Sequence, residues 1–288
     1  MIFAQLLINS LITGAIYALV ASGFSIIYSV CKFVHFAHGA VITVAGYFLY
    51  FLYVRLGFNF YFAASLTVLF ASLLGASLNL TIYKKLRAKK SSGAILLLAS
   101  VGLLIFLESF ALLLMGADVK TLNFIPVSKG LKILGAVITP LQVVVILASL
   151  IVLVLTYVLM KQTKLGKAMR AVADNKDLAE IVGVSAEKIY NWSFLLGSSI
   201  AGIAGILVSL EHNLEPTMGT SLMIKGFAAA VIGGMDSVAG SILGAFLLGF
   251  LENLGGWFFP SAYKEAIAFA ALLTFLLFRP HGILGSKS

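Results

Sequence analysis

Apolar stretches with at most one charge apiece, each about as long as a bilayer is thick, recur along this chain and restrict its fold more than any other feature. They occupy residues 3–28, 36–54, 60–82, 94–115, 141–160 and 192–210. A helix rises ~1.5 Å per residue, so about 20 apolar residues cross a hydrocarbon core ~30 Å thick. Lipid offers no water to peptide groups, so a spanning segment must satisfy its own, which selects helices. Three further stretches, 222–235, 238–257 and 264–278, are shorter or interrupted by glycine, and the first has the pattern of a broken or re-entrant helix. Composition points to the same solvent: of 288 residues, 61% are hydrophobic and 11% charged, against about 25% charged in soluble domains. The chain reads as all-α, a polytopic transmembrane helix bundle of about eight or nine spans in a single domain, residues 1–288.

The charge that remains is unevenly placed. The net charge is +9, but the basic residues sit between apolar runs and are not interleaved with aromatics on one polar surface, which excludes a nucleic-acid partner. Lys84, Lys85, Arg87, Lys89 and Lys90 fall in one loop, and Lys161, Lys164, Lys167, Arg170, Lys176 and Lys188 in another. Basic residues mark cytoplasmic loops. With Lys32, Arg279 and Lys287 they place fourteen positive residues inside, leaving six, Arg55, Lys120, Lys129, Lys132, Lys225 and Lys264, outside or in the spans. This orientation puts Met1 outside and the C-terminus inside, hence an odd number of spans, most simply nine. The N-terminus lacks a basic region and a small-residue cleavage site, so residues 3–30 read as a retained span and not a leader. A single cysteine, Cys31, supports neither an intrachain disulfide nor a metal cluster.

Enzymatic constellations are missing. His35 and His38 share a helical face at a spacing of three, but no neighbouring Cys, Asp or Glu completes a metal site. Gly166-Lys167 is followed by Ala168 and lacks the upstream glycine of a phosphate-binding loop. No cofactor is implied. Four charges interrupt apolar stretches: Glu108, Lys225, Asp236 and Glu252. Intramembrane ionisable groups mark functional sites by default, yet a structural role is open to each: Asp236 in a cytoplasmic turn, Lys225 snorkelling to the outer interface, and the two glutamates near span ends or against backbone or amide groups. Small residues four apart, Ser198 and Gly202, Ala201 and Gly205, Gly240 and Gly244, Ala245 and Gly249, let helix backbones approach.

The longest polar segment, residues 161–188, is not a floppy linker. Its apolar residues Leu165, Met169 and Val172, then Leu178, Ile181 and Val182, recur at helical spacing. Asp174 is placed to cap the second piece, Asp177 lies in its first turn, and Gly183 supplies a left-handed stop. A helix-break-helix elbow is predicted. Its mixed acids and bases fit a docking element for a soluble partner better than a face lying on lipid, which would favour Lys and Arg.

The elbow also carries a resemblance. Asp177-Leu178-Ala179-x-x-x-Gly183 partly matches the acidic-Ala-Ala-x-x-x-Gly loop of ABC importer permeases, with Leu178 in place of alanine. Three other stretches sharpen the match: Asn9 with Gly14-Ala-Ile-Tyr-Ala-Leu-Val-Ala-Ser-Gly23; Val34-His-Phe-Ala-His-Gly39, where His35 replaces the usual Asn; and Ala230-Val-Ile-Gly-Gly-Met-Asp-Ser-Val-Ala-Gly240, followed by Gly244 and the closing Arg279-Pro-His-Gly-Ile-Leu-Gly285. In this order they resemble the LivH-like permease subunits of bacterial branched-chain amino acid ABC importers, from about Leu6 to Gly285. The resemblance implies a multi-pass inner-membrane subunit that hydrolyses nothing itself. Its partners would be a second permease, two cytoplasmic ATPase subunits and an extracytoplasmic substrate-binding protein. It assigns coupling to Arg170, Asp174, Asp177, Leu178, Ala179 and Gly183, with Ala179 and Gly183 kept small for the partner's groove. For a translocation path or gate the polar interruptions suggest Asn9, Tyr17, His35, Phe36 and His38, and for a hinge or tight packing Gly233, Gly234, Gly240 and Gly244. Importers of urea, short amides or other amino acids share this scaffold. A carrier using Glu108 and Glu252 for ion coupling is the alternative of another class, and a scaffold or receptor subunit a third.

Overall fold

The computed structural model describes residues 2–124, 130–133, 135–260 and 263–285; Met1, Lys129 and Lys287 lie outside them. Among the described residues, twelve α-helices form one bundle. Seven helical segments are long and apolar enough to cross a membrane: α1 (Ile2–Cys31), α2 (Ala37–Tyr50) with the π turn that prolongs it to Arg55, α3 (Phe60–Leu78) continued through a π turn into α4 (Lys84–Ala88), α5 (Gly93–Met115), α6 (Pro140–Gln162), α9 (Ala186–Glu211) and α11 (Val238–Phe258). The elbow is α7 (Lys164–Asp174) and α8 (Lys176–Ile181). The remaining two apolar stretches form α10 (Met218–Gly233, 16 residues) and α12 (Lys264–Phe278, 15 residues). At ~1.5 Å per residue these reach only about 24 and 22 Å, short of a ~30 Å core. Before α6 an antiparallel ribbon pairs β1 (Leu131–Ile133) with β2 (Ala136–Ile138), a small departure from the all-α expectation.

Apolarity alone does not set position in the bundle. Every residue of α1 from Gly14 to Ile27 is buried, and α1 packs on α6, α9, α10 and α11. By contrast α5 and α6 leave Phe106, Leu113, Ile151 and Leu155 about three-fifths or more exposed. A water-soluble protein does not leave such a belt bare; lipid covers it.

Small residues set the helix spacing. A Cβ at Gly202 would meet Ala71 of α3 at 2.7 Å, one at Gly75 would collide with Ser198, and one at Gly205 would lie 2.5 Å from the Ile42 carbonyl of α2. The α10–α11 contact is closer still. Side chains at Gly233, Gly240 or Gly244 would strike the facing backbone, at Gly240, Gly233 and Ala229 respectively. Gly234 adopts φ +108°, a left-handed value that ends α10 and turns the chain toward α11. The closing segment then caps α10: the Ile283 and Leu284 N–H groups donate to the Ile232 and Gly233 carbonyls at 2.9 Å each. Carbonyls left unpaired at a helix terminus are thereby satisfied.

Candidate functional site

Three places hold the polar chemistry. The first is the elbow at the basic end of the bundle. Thr163 caps α7 by accepting from the Gly166 N–H, and Arg170 donates to the Met160 carbonyl, which ties α7 back to α6. The cap of α8 corrects the sequence reading: Asn175, not Asp174, accepts from the Leu178 N–H at 3.0 Å. Asn175 takes this place because the chain is extended there, at φ −149°, while Asp174 is still the last helical residue of α7. Asp177 does lie in the first turn of α8, and Gly183 takes φ +88°. Of the two small residues, Ala179 is buried in the chain's own core, and Gly183, with nothing of this chain near a Cβ built on it, takes a left-handed backbone that favours glycine. Leu178, Ile181 and Val182 are 60%, 79% and 76% exposed. Two large apolar side chains of a six-residue helix, and a third at its C-cap, thus stand exposed.

Beside the elbow, Lys32 and Asp236 pair at 2.7 Å, so Asp236 lies in a turn at the basic end, as expected. A cavity of about 410 Å³ there is lined by Arg170 and Asp236, and an adjoining one of about 400 Å³ by Lys32 and Asp174. Arg87 grips Glu187 at the start of α9 with two hydrogen bonds, 3.1 and 2.9 Å, and donates to Asn79 Oδ1 at 2.8 Å. Its guanidinium lies 4.6 Å from the Tyr190 ring centroid.

The second place is the buried link between α1 and α2. His35 and His38 are fully buried. His35 Nδ1 is 3.0 Å from the Tyr83 hydroxyl, and its ring lies 4.9 Å from Phe194 and 6.3 Å from His38. Tyr83 and Asn79 come from the π turn inside α3–α4, and both are fully buried; π turns often occur at functional positions. His35 Nε2 and both ring nitrogens of His38 have no partner among the described residues. No group of three or more metal-ligating side chains occurs among those residues either. Phe36 packs on Phe227 of α10 at 5.5 Å.

The third place lies toward the other end. Glu252 of α11 is 1% exposed, accepts from the Tyr17 hydroxyl of α1 at 2.7 Å, and lies 3.9 Å from Lys225 Nζ of α10. Lys225 also lies 5.5 Å from the Tyr17 ring centroid. Instead of extending away from the bundle, the Lys225 ammonium turns toward the Glu252 carboxylate, and its side chain stays 17% exposed. These three residues line a cavity of about 510 Å³. Glu108 is held otherwise, accepting from the Thr220 N–H and hydroxyl at 3.2 and 2.6 Å, the backbone pairing that the sequence suggested. Of the sequence-nominated path residues only Tyr17 borders this cavity; Asn9 accepts from Gln5 at 3.0 Å near the N-terminus of α1. Lys225 and Glu252 were visible as charges in apolar stretches, but residues so far apart in sequence gave no sign of meeting.

Comparison with known proteins follows the same architecture. The family described as the branched-chain amino acid transport system, permease component, matches residues 6–276. The "High-affinity branched-chain amino acid transport system permease protein BraD" of Pseudomonas aeruginosa is 31% identical, with 98% of this chain and 96% of that protein covered. LivH of Escherichia coli, bearing the same description, is 28% identical over 98% of this chain and 96% of its own length. Among solved structures, "PsaBC from Streptococcus pneumoniae in complex with Fab" superposes with a TM-score of 0.53 at 14% identity, covering 95% of this chain and 91% of that one; this is a likeness of fold.

Proposed function

This chain belongs to the permease components of branched-chain amino acid transport systems, and on that premise we propose that it carries leucine, isoleucine and valine across the inner membrane of a prokaryote as one subunit of an ATP-driven importer. The match across nearly the whole chain carries the reading. The basic end is then cytoplasmic, and ATP hydrolysis belongs to two partner ATPases. A second permease completes the pathway, and an extracytoplasmic binding protein delivers substrate.

The elbow supplies the mechanical link. Leu178, Ile181 and Val182 offer an ATPase an apolar contact, and burying such side chains is worth roughly 1.5–3 kcal/mol each. Behind them α7 packs on α1, α6 and α9, so a displacement of the elbow reaches three spans at once. Closure of the ATPase dimer thereby biases the bundle between outward-open and inward-open packings, a two-state shift of rigid elements. Arg170, through its bond to the Met160 carbonyl, and Gly183, through its left-handed backbone, hold the elbow's shape, and Asp174 and Asp177 give it acidic groups for the partner to meet. Gly233, Gly240 and Gly244 serve as the tight contact about which α10 and α11 move together.

The test is uptake of labelled leucine into proteoliposomes containing this chain with its partner permease, ATPases and binding protein. Uptake that requires ATP and the binding protein is the expected result. ATP-dependent uptake of urea or short amides in place of leucine would replace the substrate, and leucine uptake indifferent to ATP would replace the importer with an ion-coupled carrier.

A further inference from the structure

We infer that the cavity between α1, α10 and α11 is a transit site for the amino acid, in which Lys225 receives the carboxylate and Glu252 the ammonium group. The inference rests on the transport reading above and adds the residues that would recognise the substrate. One observation is the incompleteness of the pair. Lys225 Nζ and Glu252 Oε2 are 3.9 Å apart, longer than a charge-assisted hydrogen bond, which is about 2.7–2.9 Å. That same Oε2 already accepts from Tyr17. Glu252 Oε1, buried, has no partner among the described residues. A buried carboxylate oxygen without a donor is costly, and its residue, Glu252, lines a cavity of about 510 Å³, a size typical of small-ligand sites.

Charge balance gives the ligand class. Besides Lys225 and Glu252, the wall carries Lys264 and Glu215, two of each sign, together with the imidazole of His212. A zwitterion entering a balanced site leaves no charge uncompensated, whereas an organic cation or anion leaves one. Leu222 and Met218 on the same wall give an aliphatic side chain an apolar surface. Because Lys225 and Glu252 satisfy each other in part when the site is empty, the ligand replaces an interaction and gains little net energy. Weak binding of that kind permits onward release.

Two experiments in the assembled transporter test this. Glu252→Gln keeps the side-chain size and an acceptor for Tyr17 but loses the charge. With Lys225→Met as its counterpart, it should lower ATP-dependent leucine uptake about tenfold or more. ATP hydrolysis stimulated by the loaded binding protein should persist in both variants. Wild-type uptake at normal rate together with normal uptake in both variants would overturn the site and leave the transport reading intact; absence of wild-type ATP-dependent uptake would overturn the transport reading instead. Should either variant fail to assemble, Ser221→Cys on the cavity wall gives an independent measure, with modification of that cysteine by a water-soluble methanethiosulfonate followed by mass spectrometry. L-leucine should slow modification, and leucinamide or 4-methylpentanoate, each lacking one charge, should not. A modification rate unchanged by leucine, or protection by all three alike, would overturn the assignment.

Discussion

Gly244 has no room for any side chain, since a Cβ there would strike the Ala229 carbonyl and would lie 2.7 Å from the Gly233 nitrogen. Gly244→Leu should therefore separate α10 from α11 and cost about 3 kcal/mol or more, an overpacking penalty at its upper range. Size-exclusion profiles of the solubilised complex after heating should show the variant lost first. Arg87 makes a different kind of demand. Its planar fork meets both oxygens of Glu187 and also Asn79 and the Tyr190 ring, a geometry that a lysine ammonium does not reproduce. We expect Arg87→Lys to lower the melting temperature by a few degrees, about 1 kcal/mol, the loss being modest because Glu187 is partly solvated. The arginine was legible in sequence only as one of five positive charges in a loop. Its role emerged from Asn79 and Glu187, which lie 8 and 100 positions away.

The elbow was more legible than any other element. Apolar spacing predicted two short helices in residues 161–188, and α7 and α8 lie there. The cap was misread because Asp174 and Asn175 are adjacent and both are good N-cap residues; only the backbone decides which is extended. At this scale the expected outcome is functional. Ile181→Asp places a charge on a side chain that is 79% exposed, so the fold should survive, while leucine uptake and its stimulation of ATP hydrolysis should both fall at least about tenfold, as loss of a buried interface anchor does. Measuring the two together, with assembly followed by co-purification of the ATPase, separates lost docking from lost folding. The C-terminal segment offers a second element-scale check. Truncation after Arg279 removes the donors at Ile283 and Leu284 and leaves the Ile232 and Gly233 carbonyls unpaired, which should destabilise the bundle by about 1–3 kcal/mol in thermal melts.

For the molecule as a whole, the placement of Lys and Arg sets a testable orientation. Cys31 is buried, so engineered cysteines report with little background. Asp118→Cys, beyond the end of α5, should react with an impermeant maleimide from outside intact cells. Lys85→Cys, in α4, should react only after the membrane is opened. The reverse pattern would invert the bundle and with it the assignment of the elbow to the cytoplasm.

The solvent, the helical class, the elbow and the family resemblance are all written in local pattern, as run length, spacing, capping residues and short motifs, and so are legible before any fold is known. Tertiary structure decided which helix is central, that α10 and α12 fall short of a full span, and that Ala179 faces the chain's own core. It also brought Tyr17, Lys225 and Glu252 together from three helices, and His35 to Tyr83 across 48 positions. Such meetings depend on how helices stack, and stacking is set by the steric fit of small residues at many contacts at once, which a one-dimensional pattern of polarity does not encode.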